Sequence, residues 1–137
     1  TGADGSTVGL GEALLAPTRI YVGPVLDLLR SGGIDGLAHI TGGGITENIV
    51  RVLPENLGLR IDTASWDRPE VFEWLQREGG IAEAEMLRTF NCGIGMVMLA
   101  HPDRASELMR QTTAQGIVCN DIGEVIPRDD ASRVDYA

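Results

Sequence analysis

Residues 38–49 read Ala-His-Ile-Thr-Gly-Gly-Gly-Ile-Thr-Glu-Asn-Ile. A short, mostly apolar run over residues 34–40 ends at three glycines, and apolar residues at helical spacing, among them Ile45 and Ile49, follow at once. The pattern predicts a strand that turns through glycines into a helix. Such a turn presents free main-chain amides and the positive end of the helix dipole, which together bind phosphate or carboxylate groups.

A purely structural role for the same glycines is the alternative. The stretch has neither the lysine of a P-loop nor the spacing of a dinucleotide-binding motif. Glycine also supplies unusual backbone angles and lets a helix pack closely on a strand. Glu47 would suit the helix dipole, but its carboxylate would repel an anion bound at the turn. The spacing leaves both interpretations open.

Several other blocks, in a fixed order, carry a resemblance to a known family. They are Leu-Ala-Pro-Thr-Arg-Ile-Tyr-Val (15–22), His-Ile-Thr-Gly-Gly-Gly (39–44), Arg-Val-Leu-Pro (51–54), Trp66, Pro-Glu-Val-Phe (69–72), Trp-Leu-Gln (74–76) and Arg-Thr-Phe-Asn-Cys-Gly-Ile-Gly-Met (88–96). Their order and spacing resemble the C-terminal domain of aminoimidazole ribonucleotide synthetase, also called phosphoribosylformylglycinamidine cyclo-ligase. The resemblance runs from about residue 10 to the end of the chain.

This resemblance implies a fold and an activity. The implied fold is α+β, with a mixed β-sheet and helices packed on its faces. The implied enzyme is a cytoplasmic homodimer that uses ATP to close the imidazole ring of formylglycinamidine ribonucleotide, giving aminoimidazole ribonucleotide, ADP and phosphate. An N-terminal domain, absent from this chain, would hold most of the ATP and Mg²⁺. The resemblance therefore implies a fragment that is inactive by itself.

The family's motif blocks also suggest site residues. Those of this chain that match the blocks are His39, Thr41, Gly42, Gly43, Gly44, Asn91, Cys92 and Gly93. We predict that Thr41–Gly44 contribute to binding a phosphate-bearing ligand, either ATP or the ribonucleotide, together with Arg88 and Asn91. Arg88 could contact a phosphate through two hydrogen bonds, or it could be a solvated arginine at a helix end. His39 is the candidate general acid or base, and a hydrogen-bonded histidine in the core is the alternative.

Composition limits the other possibilities. The 137 residues are 43% hydrophobic, which suits one domain, and we predict a flexible tail or linker over residues 1–11 followed by the domain over 12–137. The net charge is −9 and all 11 basic residues are arginine, so nucleic acid is an unsuitable partner. No run is long enough to cross a membrane. Cys92 and Cys119 do not have metal-binding spacing, and we predict no metal site.

Periodicity places the remaining elements along the chain. Helices are predicted near residues 22–31, 46–53, 66–80, 82–87 and 102–115, and strands at 34–40, 57–61, 91–99, 117–126 and 132–136. The run at 91–99 is apolar on both faces, which predicts a central strand. Gly93 and Gly95 would lie on one face of it, where they would allow close approach of a ligand or of packed chain.

Two other function classes are compatible with the sequence. One is a related two-domain enzyme that uses ATP, such as selenophosphate synthetase, thiamine-monophosphate kinase or a hydrogenase-maturation protein. The block at residues 88–95 argues against these relatives. The other is a non-catalytic binding or assembly module that uses the glycine turn only structurally.

Overall fold

The computed structural model describes residues 9–128 and 132–137. The helices in these ranges are α1 (Leu10–Leu14), α2 (Val22–Ser31), α3 (Gly44–Ile49), α4 (Glu70–Gly79), α5 (Glu83–Thr89) and α6 (Pro102–Ala114), with a 3₁₀-helix at Val50–Val52. The strands are β1 (Ile34–His39), β2 (Leu57–Ile61), β3 (Met96–Ala100), β4 (Gly123–Pro127) and β5 (Val134–Tyr136). None of the helices within the described ranges is long and apolar enough to span a membrane.

The strands form two small sheets. β1 pairs with β3 in an antiparallel ladder that places Leu37 opposite Met98 and His39 opposite Met96. In the second sheet β2 lies in the middle, antiparallel to β4 and parallel to β5. The predicted class, α+β with mixed strands and helices, is confirmed, although the strands are divided between two sheets.

The main core lies beneath the segment that carries the glycine turn. Ala38 and Ile40 precede the turn, Ile45 and Ile49 follow it, and all four side chains are buried. The other buried members of this cluster are Leu53, Leu59, Ile61, Trp66, Val97 and Val134. Full burial of one such aliphatic side chain contributes about 1.5–3 kcal/mol to the free energy of unfolding. The buried residues on both sides of the turn therefore hold it in a fixed position.

The prediction of a central strand over residues 91–99 was wrong. Asn91 to Ile94 form a tight turn, in which the Ile94 amide donates to the Asn91 carbonyl at 2.9 Å. Its two middle residues, Cys92 and Gly93, have φ angles of 47° and 101°, the pattern of a type I′ turn. The strand therefore begins only at Met96, and among the described strands it pairs with β1 alone.

Several predicted boundaries also differ from the observed ones. The helix predicted at 66–80 begins at Glu70, because the preceding Pro69 has an extended ψ of 137°. The helix predicted at 46–53 begins at Gly44 and changes to 3₁₀ geometry after Ile49. The strand predicted at 117–126 begins at Gly123. Residues 1–8 of the predicted tail lie outside the described residues, and α1 begins at Leu10.

An ion pair and its neighbouring hydrogen bonds join the loop before α4 to the start of α5. Arg68 donates both terminal nitrogens to the Glu83 carboxylate, and Gln76 donates to the same carboxylate at 2.7 Å. The hydrogen bond from Arg68 lowers the pKa of Glu83. A carboxyl whose pKa is lower in the folded state stabilises the fold above its unfolded pKa, and that stabilisation is lost as the pH falls.

We therefore expect Glu83→Gln to destabilise the protein by about 1 kcal/mol at pH 7, the upper end for a partly exposed ion pair. Near pH 3 the two proteins should unfold at closer urea concentrations than at pH 7, because protonation of the parent carboxyl weakens its pairing with Arg68. Urea denaturation at the two pH values measures this difference. Glu78→Gln, at an exposed pair with the neighbouring Arg77, is the control and should have almost no effect. A Glu83→Gln effect that is the same at both pH values would contradict this account.

Candidate functional site

The glycine turn depends on two residues with positive φ. Gly43 has φ 95° and Gly44 has φ 57°. A Cβ atom on Gly44 would lie 1.9 Å from the Leu87 carbonyl oxygen and 2.8 Å from that of Phe90. The start of α3 thus rests directly on the end of α5, at a distance that only glycine allows. Gly42, in contrast, has no positive φ, and nothing lies within 4 Å of the place that a Cβ atom would occupy there.

The buried side chain of Asn48 stabilises the turn through hydrogen bonds to its main chain. Its side chain is only 6% exposed. Its amide nitrogen lies 2.8 Å from the Gly44 carbonyl oxygen, 3.1 Å from that of Gly42 and 3.5 Å from that of Thr41. A buried amide that donates to several carbonyls of one turn fixes the path of the main chain. The shape of the turn is therefore set from within the fold.

The three glycine amides of the turn differ in their hydrogen bonding. The Gly44 amide donates to the Thr41 carbonyl at 3.0 Å and is not available. Among the described residues, no acceptor is found for the amides of Gly42 and Gly43. Gly42 is exposed and Gly43 is half-buried. The predicted anion site is thus reduced to two adjacent amides at the surface.

The charges beside these amides are mixed. A Cβ atom on Gly43 would lie 2.8 Å from a Glu47 carboxylate oxygen, so this carboxylate covers one side of the turn. Arg88 lies 3.6 Å from Glu47 and forms a closer pair, 2.6 Å, with Glu85. Hydrogen bonding to Arg88 lowers the pKa of Glu85. The predicted phosphate-binding cation is present beside the turn, but two carboxylates already share it.

Asn91 belongs to the neighbouring loop. Its side-chain oxygen accepts a hydrogen bond from the Gly93 amide at 3.1 Å, which closes the tight turn that contains Cys92. The Cys92 thiol is buried, and burial raises its pKa, so it is a protonated structural thiol at neutral pH. The indole nitrogen of Trp66 donates to the Cys92 carbonyl at 3.0 Å, which anchors this loop in the core.

His39 is exposed, so the alternative of a hydrogen-bonded core histidine was wrong. Its ring meets the ring of Tyr21 edge to face, with centroids 6.0 Å apart. The Tyr21 hydroxyl oxygen in turn lies only 2.1 Å from the position that a Cβ atom on Gly95 would occupy. A Cβ atom on Gly93 would likewise lie 2.6 Å from the Pro69 Cδ. Both glycines therefore allow another part of the chain to pack closely on them, rather than a ligand, which is the second of the two explanations predicted from the sequence.

A groove of about 1020 Å³ adjoins the segment that contains Gly93 and Gly95. It runs along β3 and β4 and beneath α6, and Arg19 and Tyr21 lie among its lining residues. Gly93 and Gly95 line it, whereas the glycines of the turn do not. In the described parts of the chain, no three histidine, cysteine or acidic side chains are close enough together to hold a metal ion.

Two contributors to this region escaped sequence reasoning. Asn48 fixes the turn, and Tyr21 packs on His39. The role of Asn48 could have been predicted, because Asn48 shares the helix face of Ile45 and Ile49. A polar side chain on such a buried face must form hydrogen bonds within the protein. The structure brings Arg88 next to the turn, whereas among the described contacts none joins His39 to Arg88 or Asn91.

Comparison with known proteins gives a consistent result. A family model described as the C-terminal domain of AIR synthase related proteins matches residues 1–135. A phosphoribosylformylglycinamidine cyclo-ligase of Xanthomonas oryzae pv. oryzae (strain PXO99A) is 55% identical over 125 residues, which are 90% of this chain and 37% of that protein. The corresponding protein of Xanthomonas euvesicatoria pv. vesicatoria (strain 85-10) is 54% identical over the same length. The chain thus spans little more than a third of these relatives.

Solved structures agree on the fold. The crystal structure of Escherichia coli HypE, a hydrogenase maturation protein, superposes with a TM-score of 0.68 over 93% of this chain and 40% of that one. Sequence identity in this comparison is 21%, so the likeness supports a shared fold and carries no information on substrate.

Proposed function

Since the chain belongs to the family of AIR synthase related proteins, as their C-terminal domain, we propose that it is the C-terminal part of a phosphoribosylformylglycinamidine cyclo-ligase. The identity of 55% with a protein of that name is the observation that carries the proposal. The full-length enzyme would use ATP to cyclise formylglycinamidine ribonucleotide, with release of ADP and phosphate. It would be a cytoplasmic homodimer, and this chain without its N-terminal partner domain would be inactive.

The chemistry divides between the two domains. The family resemblance implies that an N-terminal domain outside this chain would hold Mg²⁺, through the carboxylate oxygens that this ion prefers. ATP held there would supply the activation of the ribonucleotide's formyl oxygen, and ADP and phosphate would be released. The role of this chain is to bind and orient a phosphate-bearing ligand against that domain. Two unpaired amides and a nearby guanidinium are the groups that favour such binding.

We assign the phosphate contact to the amides of Gly42 and Gly43, with Thr41 and Gly44 holding them in place. Arg88 would turn from Glu47 towards the ligand, a movement that an exposed side chain makes readily. Asn91 acts as a positioning residue through its bond to Gly93. His39, exposed at the end of β1 two residues before Thr41, is the proposed proton donor or acceptor.

Replacing Glu47 should reveal whether the turn meets a phosphate. In the full-length enzyme, Glu47→Gln removes the negative charge beside Gly43, so we expect ligand binding to tighten by about threefold to tenfold. Calorimetric titrations with ATP and with the ribonucleotide, run separately, would identify which ligand responds. Glu55→Gln, at an exposed residue before β2, is the control and should leave both affinities unchanged. Unchanged affinity of Glu47→Gln for both ligands would contradict the phosphate assignment.

A purine-auxotroph test separates the cyclo-ligase from related enzymes. The gene for the full-length protein should restore growth to a strain that lacks this ligase, whereas the gene segment for this chain should not. HypE, a hydrogenase maturation protein, shares the fold alone, so a relative of that kind stays the second candidate on sequence grounds. Failure of the full-length gene to restore growth, with the protein expressed and folded, would favour that candidate or a non-catalytic module.

A further inference from the structure

The two sheets leave two strand edges unpaired across the same groove. β3 pairs only with β1, and β4 pairs only with β2, among the strands of the described ranges. All five residues of β3, Met96–Ala100, line the groove, as do residues 117–125, which lead into β4. Successive residues of a strand point to opposite faces, so a groove lined by all of them runs along the strand's edge.

The hydrogen-bond register identifies the groups on the edge of β3. The Ile40 amide donates to the Gly95 carbonyl, which makes this a bonded pair of the antiparallel ladder. Bonded and non-bonded pairs alternate along such a ladder. The main-chain groups of Val97 therefore point to β1, while those of Met96 and Met98 point into the groove.

The same reasoning applies to β4. The Asp62 amide donates to the Ile122 carbonyl, and the Arg128 amide donates to the Asn56 carbonyl. These two bonds place the even-numbered residues of β4 towards β2. The main-chain groups of Gly123 and Val125 consequently point into the groove. Pro127, next in this series, has no amide hydrogen, so the bonding edge ends there.

We propose that this groove is the slot for one further β-strand, inserted between β3 and β4 and supplied by the part of the full-length polypeptide that the relatives possess beyond this chain. Relatives of which the chain spans 37% have ample additional length to supply it. The inserted strand would join the two small sheets into one. This inference rests on the proposed origin of the chain as the C-terminal part of a longer protein.

The surroundings of the groove define the character of the strand. On one side lie Leu59, Ile61 and Val97 of the core, and on the other lie Leu108 and Met109 of α6. A strand between these layers must be apolar on both faces, as central strands are. An edge of five residues accommodates a strand of roughly 17 Å.

Other occupants fit less well. A small apolar ligand would leave two facing rows of main-chain donors and acceptors without partners, which is costly away from water. A folded second copy cannot pair its own sheet edge with two edges that face each other across one groove. A strand satisfies both rows at once, and attachment to the same polypeptide raises its effective concentration.

Amide hydrogen exchange in the full-length protein tests this inference. We expect the amides of Met96, Met98, Gly123 and Val125 to be protected to within about tenfold of their neighbours Val97, Leu99, Glu124 and Ile126, which serve as internal controls. If the four groove-facing amides exchange more than about 100-fold faster than these controls, the slot is empty and the inference is wrong.

Two further outcomes would also overturn it. Protection that disappears on dilution would point to a second copy, and equal protection in the 137-residue chain would show that no added strand is required. Exchange does not depend on activity, so it is independent of the proposed function. A protein with the protected amides but no ribonucleotide-dependent ATP hydrolysis would refute the function and leave the added strand standing.

Discussion

Gly44→Ala is expected to destabilise the folded protein by about 3 kcal/mol or more, because two costs combine. The new methyl group would lie 1.9 Å from the Leu87 carbonyl oxygen, which is main chain and cannot rotate away. Alanine is also strained at the φ of 57° that this position requires. To relieve the contact, α3 and α5 must separate, and the packing of Ile45 and Met86 beside them would loosen. Urea denaturation followed by tryptophan fluorescence measures the loss.

Gly42→Ala is the matched control for this substitution. It adds the same methyl group two residues earlier, where nothing lies within 4 Å and φ is not positive. We expect a change of less than about 0.5 kcal/mol, typical of an unconstrained surface position. Equal effects of the two substitutions would show that the turn does not rest on α5 as described.

Asn48→Asp is the second substitution with a large expected effect. The two side chains have nearly the same shape, but the buried amide that donates to the carbonyls of Thr41, Gly42 and Gly44 is replaced by a carboxylate oxygen. Acceptors would then face acceptors in a largely buried site, since Asn48 itself is buried. We expect a loss of roughly 3–5 kcal/mol at pH 7, comparable to that caused by an unpaired buried charge.

The pH dependence of Asn48→Asp provides a second test. Burial raises the pKa of a carboxyl, so the introduced group would be protonated more readily in the folded than in the unfolded protein. The destabilisation should therefore shrink as the pH falls towards about 4 and grow as it rises. Asn56→Asp adds the same charge at an exposed position and should have little effect at either pH. A loss for Asn48→Asp that does not vary with pH would exclude a buried carboxylate as its cause.

The glycine turn illustrates how much of the fold the sequence determines locally. Three glycines between a short apolar run and apolar residues at helical spacing predicted the strand, the turn and the helix, and all three are present. The exposure of His39 could have been read from the same residues. Ala38 and Ile40 on either side are buried, so strand alternation directs His39 outwards.

Residues 91–99 show where local patterns fail. Their apolar character predicted one long strand, but Cys92 adopts a positive φ that residues other than glycine rarely adopt. That conformation is maintained by distant partners, since Trp66 donates to the Cys92 carbonyl and Pro69 packs on Gly93. The pair between Arg88 and Glu47 likewise depends on how α3 and α5 are arranged. Contacts of this kind cannot be inferred from spacing in a single sequence.

We propose that this chain is the C-terminal part of a longer enzyme, little more than a third of the length of its relatives, that closes the ring of a formylglycinamidine ribonucleotide. Release of ADP by the purified full-length protein tests it most directly, measured with ATP and Mg²⁺ in the presence and absence of that ribonucleotide. We predict that ADP forms at a catalytic rate only when the ribonucleotide is present, together with one aminoimidazole ribonucleotide for each ADP. ADP release that does not depend on the ribonucleotide, or none in its presence, would contradict the account.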